Sequence, residues 1–448
     1  MYITTSDTNI TQANIQLWIQ SFLANIKPKY SKLDAYYNGK DYLNKIQTEL
    51  DKMNKREINN IHSNLARMIV TNACGYFMGK PVTYTFDNSS IEKQAKELFW
   101  KNDEQVENQT LAKTSSKYGV AYELMGLDEN KSLYIKSLTP LNTFYVVDDT
   151  ILENKVCAIT FWTVKLPNKK TVTKGYAYTS EEIISFEGDT NFVLKKNEVN
   201  PFKPVIPVFE YKNNDECVGD YEPVTDLLSA YSKLISTNFD DVDSVANSIL
   251  ALINARINRE DAKELSKSRI LELMGENTDV KYLNKSLDKS YVEYLRNALR
   301  EDIFSITSVP DLTDEKFAGN QSGVALSYKL IGFENLRLTK KNYFEKGLYQ
   351  RLKCLLNYKN LSSTAKEIEE GSIVITFQTN LPSNIDKDKQ IAELHNMGVL
   401  SLETAVTLME SVDDADEELK RIQEEKPSLD ELEVINGQAG FETGNKGQ

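Results

Sequence analysis

The chain is poor in the residues on which hydrolytic and redox enzymes depend. Its 448 residues include only two histidines, His62 and His395, which leaves little for a histidine metal site or a Ser-His-Asp triad. Four cysteines, Cys74, Cys157, Cys217 and Cys354, lie far apart with no CxxC pair, which disfavours a zinc site and a secreted disulfide framework. No apolar run approaches the roughly 18 residues of a membrane span. The start, Met1 to Asp7, lacks the basic and apolar regions of a secretion signal. Acidic residues outnumber basic ones, 66 to 53. The formal net charge is −13, whereas a protein that simply coats nucleic acid presents a basic face. The expectation is a soluble, reduced, cytosolic chain without a membrane segment.

What is present is ordinary for a folded protein: 40% hydrophobic residues and 23 tyrosines. The length allows several layered units. Residues 11–80 read as helical, with Ile15, Trp18, Phe22 and Ile26 at helical spacing and a second stripe through Leu65, Met68, Ile69 and Tyr76. Gly79, Lys80 and Pro81 stop that helix. Val82–Phe86 alternates as a strand, and helices are expected at Ile91–Trp100 and Leu111–Tyr118. From Val120 to Tyr211 the pattern changes to short β-rich runs between turn residues, which indicates antiparallel hairpins.

Helix returns at Pro223. Val224, Leu228, Tyr231, Ile235, Val242 and Ile249 trace one face as far as Ile253, a rod of roughly 45 Å. A compact polar stretch, 254–287, precedes a second helix at Tyr291–Ile303. An irregular stretch, 307–322, leads into a third long helix, Gly323–Tyr358, whose apolar stripe is Phe344, Leu348, Leu352 and Leu355. One isolated strand is expected at Gly371–Gln378 and helix again at Asp386–Glu425, before a Gly-rich tail. The fold class is α+β, mainly helical.

The irregular stretch carries the informative wording. From Pro310 to Leu330 it reads P-x-L-x-D-x-x-F-x-G-N-x-S-G-x-A-L-x-Y-K-L. Together with Asn59–Val70 and Gly75–Tyr84, and with a weaker match in the acidic C-terminal helices, this resembles the portal proteins of siphovirus-type phages, chiefly those of Gram-positive hosts. The likeness extends over about residues 30–430 in order and spacing.

The resemblance implies a portal fold: a β-rich wing, long stem helices, a small clip and a helical crown. An N-terminal helical arm (1–29) would precede the wing (30–222). A long wing or stem helix (223–253), the clip (254–287) and a second stem helix (288–306) would follow. Then come a tunnel loop (307–322), a central helix with its return strand (323–385), the crown (386–430) and a flexible tail (431–448). It further implies a ring, expected to hold twelve subunits, at the capsid vertex of the virion, assembled in the host bacterial cytoplasm. Double-stranded DNA would pass through it. The implied partners are the terminase large subunit, head–tail connector or adaptor proteins, scaffolding protein and the major capsid protein. No cofactor and no catalysis are expected; ATP hydrolysis would belong to the terminase.

The chemistry of the loop fits passage rather than grip. Gly319 and Gly323 can act as joints, because glycine tolerates backbone angles that other residues avoid. Asn320, Gln321 and Ser322 offer exchangeable hydrogen bonds to phosphates, and Ser322 also suits the N-cap of the next helix. Lys316 is the one cation beside Asp311, Asp314 and Glu315. Each neutralised phosphate adds about −0.9 to the salt slope of affinity, so a lysine-lined ring would act as a brake. An acidic one would not.

Two rival readings stay open at this point. Asp240, Asp241 and Asp243 would serve a metal-dependent DNA-processing enzyme, although consecutive helical residues point in different directions and a solvated face is the simpler account. The helices alone would also suit a scaffold without a DNA role.

Overall fold

A computed structural model describes residues 2–39, 61–86, 89–246 except 166, 168–170 and 190, then 249–253, 279–283, 289–313, 323–358, 373–378, 385–409, 411–412 and 415–425. The chain opens with a short strand, β1 (Ile3–Thr5), then helix α1 (Gln12–Ser21), capped by Thr11 Oγ1, which accepts from the Asn14 amide at 3.2 Å. A π-helical turn (Phe22–Ile26) joins α1 to α2 (Lys27–Asn38). That extra residue per turn keeps both Phe22 and Ile26 inward; Phe22 stacks on Phe144 at 4.5 Å. Gly39 ends α2 at φ 63°, the left-handed region that favours glycine.

Helix α3 (Leu65–Met78), strand β2 (Thr83–Phe86), and helices α4 (Ser89–Lys101) and α5 (Glu104–Tyr118) follow. The β-rich region contains β3 (Val120–Leu127), β4 (Leu133–Leu138), β5 (Thr143–Asp148), β6 (Lys155–Lys165), β7 (Thr171–Tyr178), β8 (Glu182–Gly188), β9 (Phe192–Val199) and β10 (Val208–Lys212). They form a six-stranded sheet in the order β1-β5-β6-β7-β8-β9 and a three-stranded sheet, β10-β3-β4. Only β1 runs parallel to its neighbour in these two sheets.

The helical half begins with α6 (Thr225–Ala246), then β11 (Ile249–Ile253) paired antiparallel with β12 (Asp279–Leu283). Helix α7 (Lys289–Thr307) packs along α6, and α8 (Gly323–Tyr358) is the longest described element, at 36 residues. Strand β13 (Ile373–Thr376) and helices α9 (Ile385–Asn396), α10 (Leu402–Leu408) and α11 (Ala415–Glu425) complete the description.

The helical and β-rich regions fall where the periodicity places them, and the class is α+β. Three details differ. The helix expected as far as Ile253 ends at Ala246, and Ile249–Ile253 is a strand. Five apolar residues suit either state, and pairing with β12 decides. The strand read as isolated, β13, pairs antiparallel with β2, nearly 290 residues earlier in sequence. The hairpin β8–β9 was not anticipated, because β9 is exposed on nearly every residue and lacks an apolar rhythm. The C-terminal helical stretch is divided into three helices, and Ser401 caps the middle one.

Two apolar clusters hold these parts together. One joins α1, α2 and α3 to the large sheet and reaches Tyr231, Ile303, Phe304 and Phe333. The other gathers α4, α5, β2, β10 and β13 around Phe344, Leu348, Leu352 and Leu355 of α8. The apolar stripe read from the sequence is therefore the buried face of α8.

Candidate functional site

The irregular stretch leaves α7 through a tightly bonded turn. Thr307 Oγ1 donates back to Ile303 O at 2.9 Å, and Ser308 adopts φ 56°, which turns the chain sharply. Val309 is then buried against the first apolar cluster. Asp311 returns to α7: Arg300 Nη2 donates to its Oδ1 at 3.0 Å and Arg300 Nε to its Oδ2 at 2.5 Å. The Thr313 amide and hydroxyl also donate to Asp311 Oδ1, at 3.1 and 2.7 Å. This forked pair ties the base of the stretch to the helix before it.

The electrostatics follow from that geometry. Partial burial opposes ionisation of Asp311, but the hydrogen bonds from Arg300 and Thr313 and the Arg300 charge outweigh it. They hold the carboxyl below its usual range. The same hydrogen bond raises Arg300, against partial burial. Arg300 also lies over the Phe304 ring at 5.3 Å. On the other side, Gly332 of α8 passes close to Ser308, and an open cavity of about 770 Å³ lies between α7, the turn and α8.

Of the expected channel residues, Asp311 is thus an internal anchor with both carboxylate oxygens engaged. Gly323 is the first residue of α8. Asp314, Glu315, Lys316, Gly319, Asn320, Gln321 and Ser322 lie outside the described residues, as does most of the 254–287 segment. Asp240 is half-buried on α6, and the side chains of Asp241 and Asp243 are outside the description. Among the described residues no group of three or more His, Cys, Asp or Glu is arranged to hold a metal ion.

What the sequence reading missed is how α8 is held. Its buried face, stepping through Phe333, Arg337, Lys340, Phe344, Leu348, Arg351 and Leu355, carries three cations among the apolar residues. Arg351, fully buried, donates from Nε and Nη2 to Glu123 at 2.8 and 2.7 Å, from Nη1 to Glu104 at 2.7 Å, and from Nη2 to Asn108 at 2.8 Å. Tyr211 and Tyr84 donate to the same two carboxylates, at 2.7 and 2.5 Å. Burial opposes the Arg351 charge, yet the surrounding carboxylates hold its pKa well above the ordinary value. Arg337 pairs with Glu334, which also accepts from Tyr76 at 2.7 Å. The signal was available: these cations share the helical phase of the apolar stripe, where charge is unexpected unless paired.

The start of the stretch is thus strapped to the helix before it, and the helix after it is locked by buried charge to the β-rich body. Residues 18–431 match the family described as "Phage portal protein, SPP1 Gp6-like". The portal protein of Bacillus phage SPP1 is 22% identical over 393 residues, covering 82% of this chain and 76% of that protein. The chain belongs to the SPP1 Gp6-like phage portal protein family. It is therefore a non-enzymatic virion component, part of the capsid and involved in DNA packaging. Membership implies an oligomeric ring and contacts with DNA and terminase. No helix among the described residues is long and apolar enough to cross a membrane.

Proposed function

We propose that the chain is one of twelve subunits of a ring at a single capsid vertex, through which double-stranded DNA is packaged and later ejected. Residues 314–322, with Lys316, Asn320, Gln321 and Ser322, meet the DNA in the channel. Segment 254–287 is the clip and docks the terminase large subunit and the head–tail connector. Residues 30–222 form the wing, which faces scaffolding and major capsid proteins, and 386–430 form the crown inside the capsid.

The observation that carries this reading is the Arg300–Asp311 pair. It spends one carboxylate of the stretch inside the protein and anchors a loop whose remaining charges nearly cancel. A short anchored loop with weak contacts suits a sliding polymer. With a net charge of −13 per subunit, the ring as a whole repels phosphate rather than adhering to it.

Electron micrographs of the purified chain test the assembly: closed rings are expected, and only single subunits or open aggregates would refute it. Lys316→Ala tests the loop. Rings should still form while packaging falls; normal packaging would remove Lys316 from the mechanism.

A further inference from the structure

Away from the loop, α8 carries a second buried cation whose surroundings go beyond those of an ion pair. Lys340 is 3% exposed, and Asn213 and Asp220, at the two ends of the loop that faces it, are buried too. Lys340 Nζ donates to Asn213 Oδ1 at 2.6 Å, to Asp220 Oδ2 at 2.7 Å and to Ser116 Oγ at 2.7 Å. Asn213 Nδ2 donates to the other oxygen of the same carboxylate, Asp220 Oδ1, at 2.8 Å and to Val218 O at 2.9 Å. Those two acceptors settle which end of the carboxamide is nitrogen. An amine therefore lies against the carbonyl end of a carboxamide, and one carboxylate touches both the amine and the amide nitrogen.

The frame around these groups is rigid. The Asn213 amide donates to Gly119 O at 2.9 Å and the Asp220 amide to Ser116 O at 2.8 Å. Asn214 and Val218 close the loop on themselves through two further bonds of 2.9 Å. Gly119, at φ 86°, lets the loop approach so closely that a Cβ there would lie 2.0 Å from Cys217 O. Lys340 itself is fixed on a helix whose flanking residues Arg337 and Phe344 are buried. Three groups held this way, with water excluded, are positioned for reaction with one another.

We infer that Lys340 and Asn213 join in an intramolecular isopeptide bond, with Asp220 moving the protons. Lys340 passes one proton to Asp220 Oδ2, which frees the Nζ lone pair. Nζ then forms a bond to Asn213 Cγ, one carbonyl bond beyond the oxygen it already touches. The Cγ–Nδ2 bond breaks as Asp220 relays a proton from Nζ to Nδ2, and ammonia departs. The lysine ammonium and the carboxamide together bring five hydrogens. One stays on the new amide, three leave in ammonia and one remains on Asp220, which can then donate to the new carbonyl. Charge balances, since the ammonium and carboxylate neutralise each other, and no oxidant is needed. A buried ion pair needs further acceptors for the remaining ammonium protons, and Asn213 and Ser116 supply them. The feature beyond that need is a single carboxylate that touches both the amine and the amide nitrogen it would exchange. The bond would tie α8 covalently to a loop 127 residues earlier in the chain.

The test is the intact mass of the full-length wild-type chain, folded, then denatured for measurement. The expected mass is lower than that of the sequence by one ammonia. Digestion should yield a branched peptide joining the segments around Asn213 and Lys340. Lys340→Arg, which keeps the charge but cannot form this amide, should show the full sequence mass, and Asp220→Asn should too. An unreduced mass in the folded wild-type chain overturns the inference. So does an ammonia loss that persists in Lys340→Arg, which would mark cyclisation at an asparagine backbone instead.

Discussion

The two ends of α8 meet the rest of the molecule in different ways. From Lys340 to Leu355 the helix is sunk into the body: Phe344, Gly347, Leu348, Arg351, Leu352 and Leu355 are all buried. From Tyr328 to Leu338 only one side is covered, by Leu330, Phe333 and Arg337, while Tyr328 is 72% exposed and Ile331 53%. The buried end has its charge satisfied within the subunit. The other end leaves Tyr328, Ile331 and Leu338 exposed on the subunit. One helix thus has a fixed root and a more exposed tip, and the boundary falls near Lys340.

Breaking the root should have the largest effect. Arg351→Met leaves Glu104 and Glu123 buried together without their cation, and should destabilise the chain by about 3–5 kcal/mol in urea unfolding. An unchanged midpoint would mean that water enters this site. Gly347→Ala is next. A Cβ there would lie 2.5 Å from the Tyr211 ring, and the overpacking should cost about 1–3 kcal/mol. Arg300→Ala at the loop's anchor is half-solvated, so the loss should be only about 1 kcal/mol, with a larger effect on packaging than on stability. At the tip, Ile331→Ser should stay within about 0.5 kcal/mol of wild type as a single subunit. If the exposed stripe is a subunit contact, ring yield should nevertheless fall; unchanged ring yield would confine the contact to other surfaces.

Acid should separate the regions as well. Asp311 and Asp34 both have carboxyls held low by their partners, Arg300 with Thr313 and Lys117 with Tyr118, against the opposing effect of burial. Their contribution is present above the unfolded value of about 3.9 and is lost as pH falls from there through the lowered native values. Protection of the backbone amides near Thr313 against exchange, corrected for the intrinsic rate, should therefore fall below about pH 4. Burial pushes the Cys354 thiol in the root up to about 12, so it should resist alkylation at neutral pH until the chain unfolds.

Much of the architecture was legible because periodicity reports burial. The bounds of α8 and its apolar stripe, the stop before Pro81 and the β-rich middle all follow from spacing. The exposed hairpin β8–β9 and the strand β11 were not legible, since neither carries a rhythm that separates strand from its alternatives. At the site, the wording from Pro310 to Leu330 indicated the family before any geometry was known. The partner of Asp311 was not indicated: Arg300 lies eleven residues back, on a helix whose orientation the intervening turn sets.

By itself, then, the sequence determined the class of fold, the succession of its helical and β-rich stretches, the scarcity of histidine and paired cysteine, and the family resemblance. These depend on local spacing and on wording, which a single chain displays directly. Only the tertiary structure decided that Arg337, Lys340 and Arg351 face inward with partners up to 247 residues away. Pairing of buried charge is a property of distance in space, and no local pattern records which carboxylate the fold will bring to which cation.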